Sequence, residues 1–592
     1  MFAMKGRVHS MIKNERVKSI LDEIYEYLKD EGSYREMFNS DFSKGLLPDV
    51  SIEKVQEAEA YAAEVRGKIQ ALREEAGELE HYDEMMLRIA EFYADTNFFI
   101  GGCENPCSIE FIDLDFSITP NNSPLSYMTA LQGIKTDTSP TECKRYIRMM
   151  MQYPKLATDC LRRTQSQIEH GIYMPKTELE LTTHALRGIA LPVEKNPLCL
   201  TPKKLWDGYA TSEKERLCGI ANVSLEKAVS KLQELIGILE SENYRNNSPQ
   251  TIGLSQYPKG EEYYRKLVKY HCSYDITPEE LYEFAENHLK KLEEKIDQMI
   301  WLAGYKCSHE EFHEIIMKDP LLYEKTVSGI QRRYERYLEK AKGILPLYFE
   351  KIPKADCGVE RMPLENEESM AMGYFAAPSK GHPKGRYLYN GLEPEKQNQI
   401  SCASVVYHEL LPGHHFQMSL TIESEELPPL VKNLYYITSY GEGWAEYAAN
   451  FMLDIGMYED FLDAYGHISK NVRQTVQVLI DIGVNSLGWS FDKAKEMFQK
   501  YTGWSDMATN AEINRFANDI QGQALSYIFC CEKMRDLRAL AENELGYLFD
   551  IKEFHTIMLE LGAVPMSILE AHVKWYIDEK KKELGKKLDK GK

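Results

Sequence analysis

Apolar residues recur at three- and four-residue spacing along most of the chain, the period of an amphipathic helix. Residues 13–30 and 52–95 carry this spacing in a background of Glu, Lys, Ala and Leu, all good helix formers. Thr138-Ser-Pro-Thr141 has the form of a helix start with proline in the first turn, and it predicts a helix through Arg163 to about Ile172. Thr277-Pro-Glu-Glu280 repeats that form and leads into a helix reaching about Trp301. Further helical patterns cover 309–318, 326–344, 400–422, 431–454, 458–480, 491–503, 511–541 and 551–582. Strand-like alternation is scarce. It is confined to 367–376 and 384–390, which predict a small sheet just upstream of 400–422. Pro- and Gly-rich connectors at 243–260 and 353–385 mark subdomain edges, and the lysine-rich 580–592 reads as a frayed helix end. The pattern therefore predicts a mainly α fold with a minor β element.

Composition narrows the class. A chain of 592 residues with 43% hydrophobic and 28% charged residues has the make-up of a soluble globular protein with a large core. Its net charge of −21 leaves no basic surplus to neutralise phosphates, so no nucleic-acid partner is expected. Met1 to Ile20 lacks the apolar stretch of a secretory signal, and no run of ~18 apolar residues predicts a membrane span. The 12 cysteines are scattered, as suits reduced thiols, so a cytoplasmic location is expected. Cys103-Glu-Asn-Pro-Cys107 has no second Cys or His cluster at metal spacing and reads as a loop, and Cys530–Cys531 reads as core packing.

The chemistry concentrates in Tyr407-His-Glu-Leu-Leu-Pro-Gly-His-His-Phe-Gln417. This stretch has the look of the metal-binding pattern H-E-x-x-H with Pro412 and Gly413 inserted before the second histidine. Two imidazoles and a carboxylate in one small volume can activate water on a divalent metal. On an unbroken helix His414 would lie about 240° around from His408, and His415 about 10 Å further along the axis, so neither could share a metal with it. A shared site demands a break, and Pro-Gly favours one by removing a backbone donor and loosening the chain. Glu409, adjacent to His408, is a candidate general base rather than a ligand of the same metal. A third ligand is expected from a later helix, where Glu442-Gly-Trp-Ala-Glu446 sets two carboxylates on one face. Glycines beside Glu442, with Trp444 and Tyr447 next to it, point to a buried site.

The chain resembles a bacterial family known as domain of unknown function 885, related to the thermolysin-like gluzincin metallopeptidases. His408 to Gln417 fits the family's H-E-x-x-P-G-H-x-x-Q, and Glu442 to Tyr447 fits E-G-W-A-x-Y. Similar segments are Tyr257–Tyr263 with Thr277–Leu281, Asp481–Trp489, Arg515 with Gly522–Tyr527, and Leu545 through Pro565, so the likeness spans roughly 140–575. It implies zinc held by His408, His414 and Glu442, with Glu409 as the base. His415 would then serve substrate or support, and Glu446 would support a ligand. Tyr527 is the expected oxyanion donor. Arg515 is expected either to bind a substrate carboxylate or to form a structural ion pair.

The resemblance also implies the architecture, a two-lobed helical shell around a deep channel, as in the oligopeptidases and the angiotensin-converting-enzyme group. Residues 1–135 would form an N-terminal helical region, 136–575 the catalytic unit and 576–592 a charged tail. The expected activity is hydrolysis of short peptides or amide conjugates. The alternatives are an impaired, peptide-binding relative or a narrow isopeptidase or carboxypeptidase. Asn485 stands where the family usually has histidine, Gln521 where it has proline, and Ala449 where it often has glutamate. The first of these implies altered substrate handling rather than loss of the metal.

Overall fold

A computed structural model describes residues 11–29, 46–96, 108–119, 127–132, 134–364, 367, 373–378, 382–433 and 437–590. The Cys103–Cys107 loop lies outside them.

Helices dominate, and several begin as the sequence predicts. Ser139 caps Pro140–Glu169 by accepting the Glu142 N–H. Thr277 and Glu280 form a reciprocal capping box at the head of Pro278–Leu302, satisfying two donors that a helix start leaves open. Longer predictions break at glycines. Residues 52–95 form Ile52–Ala76 and His81–Asp95, parted at Gly77 with φ 65°, a conformation that costs glycine little. Residues 551–582 divide into Ile551–Leu559 and Met566–Lys590 around Gly562 with φ 74°.

Lys176–Ile189, Thr211–Leu239 and Gly260–Cys272, with the short Tyr127–Gln132 and Glu242–Asn247, are absent from the predicted set. The second buries Leu217, Ala221, Leu225, Leu232 and Leu239, among others, against Pro140–Glu169. The 353–385 connector holds a strand, β1 (Cys357–Arg361). Of the predicted strand 367–376 only β2 (Tyr374–Ala376) forms among the described residues, and 384–390 yields β3 (Gly385–Tyr389). The sheet order is β1-β3-β2, with β1 parallel to β3 and β2 antiparallel to it.

Five helices frame the candidate site: α1 (Cys402–Glu409), α2 (His414–Glu423), α3 (Thr438–Asp454), α4 (Phe461–Asn485) and α5 (Ile528–Leu545). Helix α3 is the centre of the core, with every residue from Ser439 to Met452 buried. It packs on α5 through Gly443, where a Cβ would stand 2.7 Å from Cys530 Cβ. Cys530 and Cys531 are buried core residues, as expected. Among the described residues no helix is long and apolar enough to cross a membrane.

Candidate metal centre

The predicted helix 400–422 is two helices, and the insertion parts them. Helix α1 ends at Glu409, where the Leu410 and Leu411 N–H groups both donate to the Val406 carbonyl. The Leu411–Pro412 bond is cis, and α2 starts at His414. Gly413 is obligatory by contact, because a Cβ there would stand 1.7 Å from the His408 carbonyl oxygen. Trp444 of α3 donates its indole N–H to the Pro412 carbonyl at 2.9 Å, so the freed backbone is satisfied from the neighbouring helix.

The break brings His414 to His408, their ring centroids 4.7 Å apart and their planes at 84°. Glu442 Oε2 lies 3.3 Å from His408 Nε2 and 3.4 Å from His414 Nε2. Each of the three residues is less than a tenth exposed, and their donor atoms all fall within 4.8 Å of one another. Tetrahedral zinc with N and O ligands at its usual bond lengths needs donors about 3.4 Å apart. Two histidines and one carboxylate fit that ion in number, type and spacing. Among the described residues this is the sole group of His, Cys, Asp and Glu side chains so disposed.

The cluster is electrostatically arranged to hold a positive charge. Burial and Lys470 oppose protonation of His408, yet Glu446 and Glu442 outweigh them and push it up to about 9. Burial likewise works against the Glu442 charge, but His414 and His408 hold its carboxyl well below the usual range. Behind His408, Glu446 Oε1 approaches Nδ1 at 2.9 Å and also takes Lys470 Nζ at 2.7 Å and Gln474 Nε2 at 2.5 Å. Lys470 and Gln474 are not among the predicted site residues. They lie in a largely polar run, Ser469 to Gln477, of a helix that is mostly buried there.

His415 goes elsewhere. Its Nε2 donates to the Ala355 carbonyl at 3.0 Å, and its ring packs on Gly385 of β3, where a Cβ would lie 2.1 Å from Nδ1. Glu409 is partly exposed at the end of α1. Burial and the Glu409 charge together hold the proton on Tyr387, a phenol the sequence reading passed over, whose ring lies 5.2 Å from that of Tyr334. Burial and the Glu442 charge do the same for Tyr527, whose hydroxyl accepts Gln523 Nε2 at 3.0 Å.

Arg515 opens a π-helical turn, Arg515–Asp519. Its fork is given to Glu512, at 3.1 Å from Nε and 2.9 Å from Nη2, and its Nη1 donates to Gln523. The ion-pair alternative is thus the one the geometry displays. Asn485 is wholly buried, and the protein itself engages both ends of its amide. Nδ2 donates to the Asp481 carbonyl, Asp481 Oδ1 and the Phe516 carbonyl, and Oδ1 accepts the Leu254 N–H. It clips α4 to the π turn and to the backbone at Leu254. Gln521 donates to the Ala517 carbonyl, and the Ala449 carbonyl accepts Tyr458.

The same fold is seen in a candidate lipoprotein from Colwellia psychrerythraea, with a TM-score of 0.82 at 22% identity over 95% of this chain and 99% of that one. A candidate lipoprotein of unknown function from Shewanella oneidensis gives 0.69 at 17% identity over 94% and 98%. No curated protein sequence matches. The profile of the family described as bacterial protein of unknown function (DUF885) matches residues 32–573, which takes in the segments of His408, His414 and Glu442 and α4, and the chain belongs to that family.

Proposed function

We propose that this protein is a zinc-dependent hydrolase of peptide or amide bonds in short peptides or amide conjugates. The convergence of His408, His414 and Glu442, with Glu409 adjoining, is the observation that carries the reading. These three side chains would hold the ion, which when bound supplies Lewis acidity to the scissile carbonyl and to an attacking water. Glu409, partly open to solvent, takes the proton of the attacking water and returns it to the leaving amine. Tyr527, kept protonated, donates to the oxyanion that develops as the carbonyl becomes tetrahedral. Glu446 fixes the His408 ring and its tautomer. The recessed ligands support the two-lobed, channelled shell that the resemblance implies, an arrangement that admits extended peptides and excludes folded proteins.

Metal analysis together with a mass-spectrometric peptide-library screen tests this reading. One zinc per chain and cleavage that falls about 10²- to 10⁴-fold in Glu409→Gln with the metal retained are expected. Equal cleavage by the wild type and that variant would overturn the mechanism.

A further inference from the structure

Helix α4 carries Lys470, Arg473, Gln474 and Gln477 at i, i+3, i+4 and i+7, which is one face of a helix. Both ends of that face are committed. Lys470 and Gln474 hold Glu446, the carboxylate against His408. Gln477 donates to Glu512 at 2.6 Å, the carboxylate that takes the Arg515 fork. Arg515 in turn reaches Tyr527 through Gln523. Arg473 therefore sits on the wall between the support of His408 and the Tyr527 side of the site.

Arg473 is the exception on this wall. Among the described residues its guanidinium makes no hydrogen bond and no ion pair, and its one close partner is the Trp504 ring face, 5.4 Å away. Lys470 is matched by Glu446 and Arg515 by Glu512, which leaves Arg473 as the surplus positive charge of the wall. The side chain is only partly exposed, and burial works against its charge while Glu512 and Glu446 sustain it from a distance. A guanidinium partly shielded from water and lacking an ion-pair partner is stabilised when an anion joins it. Its planar fork accepts a carboxylate through two parallel bonds, and the indole fixes its plane.

Resting on the hydrolytic reading above, we propose that Arg473 is the seat for a free substrate carboxylate. The preferred substrates are then short peptides or amide conjugates that carry an ionised carboxylate close to the scissile bond. That group is either a C-terminus or an acidic side chain, and both present the same chemistry to the fork.

Matched ligands decide it: short peptides as free acids or C-terminal amides, each with Glu or Gln beside the scissile bond. Cleavage is measured with the wild type, Arg473→Gln and Arg473→Lys, and binding by calorimetry in the Glu409→Gln background. Charge-assisted bonding predicts that acids are preferred about 10- to 100-fold over their neutral counterparts. Arg473→Gln should erase that ratio by bringing the acids to the level of their neutral counterparts, and Arg473→Lys should keep part of it. The acid–amide pair and the Glu–Gln pair tell a C-terminus from a side chain. No acid preference in the wild type, or an undiminished one in Arg473→Gln, overturns the seat while leaving the hydrolytic reading intact. If the wild type cleaves nothing, the hydrolytic reading fails, and the binding ratios with and without Arg473 still decide the seat.

Discussion

Glu446 Oε1 lies 2.9 Å from His408 Nδ1, on the edge of the imidazole opposite the one that faces Glu442. One turn of α3 thus supplies both a candidate ligand and the group that orients another. Replacing Glu446 by Gln should lower zinc affinity about 10- to 100-fold, the usual effect of losing such a partner. Chelator competition reads this directly, and an affinity equal to that of the wild type would remove Glu446 from the site.

The tight passage at Gly413 makes a sharper demand. A methyl group in Gly413→Ala meets the His408 carbonyl at 1.7 Å, so α1 and α2 must part and the two imidazoles with them. Loss of bound zinc together with a lower melting temperature is expected. A variant that keeps a full complement of metal would show that the break tolerates a side chain.

Tyr527 and Tyr387 compete for the role of donor to the oxyanion. Tyr527→Phe should cut kcat about 10²-fold or more with little change in KM, the signature of an interaction made only in the transition state. If Tyr387→Phe instead shows that split and Tyr527→Phe does not, the donor lies on the β3 side of the metal.

Asn485 should behave as a structural residue. Asn485→Ala strands the Leu254 N–H and the Phe516 carbonyl and should cost about 1–3 kcal/mol, with zinc content unchanged. A melting temperature equal to that of the wild type, with altered cleavage preferences, would return Asn485 to the substrate side.

Acid should weaken the fold through buried neutral histidines. Burial pushes His271, His467 and His555 down to about 3, whereas in the unfolded chain each titrates near about 6.5. Below about 6.5 the unfolded chain takes up protons that the native state refuses, so stability falls as pH drops toward about 3, and above 6.5 these groups are neutral in both states. Asp481 acts in the other sense. Burial raises it to about 7 against the bonds from Tyr264, Gly522 and Asn485, so the native state keeps a proton that the unfolded chain gives up from about pH 4. The three imidazoles are joined by His81 at about 3 and His288 at about 4, both lowered by burial. Together they outweigh Asp481 and the buried Glu178, which burial and Asp519 raise, so the melting temperature should drop from pH 6.5 to pH 5. A flat profile there would mean that the imidazoles are solvated.

The sequence exposed the parts of the site whose chemistry is local. His408, Glu409 and Glu442 are legible because their spacing and neighbours are unusual on any helix, and Pro412-Gly413 announces the break. The break also decides between His414 and His415, since it turns one ring to Glu442 and the other to Ala355 and Gly385. Lys470 and Arg473 stayed hidden because their meaning depends on which face of α4 meets Glu446, a tertiary fact. Arg515 was visible as a charge, but Glu512, three residues before it, is what occupies it. Strand β1 escaped because Cys-Gly-Val-Glu-Arg inside a Pro- and Gly-rich connector is too short to show an alternation, and its parallel partner β3 begins only at Gly385, beyond β2. Thr211–Leu239 is the opposite case, a regular apolar spacing that was there to be read.

The indole–carbonyl bond from Trp444 to Pro412 has a kinetic consequence. Straightening α1 and α2 into one rod would strip a buried N–H of its acceptor, so this bond opposes any loss of the bend. Metal uptake should then be limited by diffusion down to the ligands, at a rate proportional to zinc concentration, with no slower folding phase behind it and no gain of helix when the ion arrives.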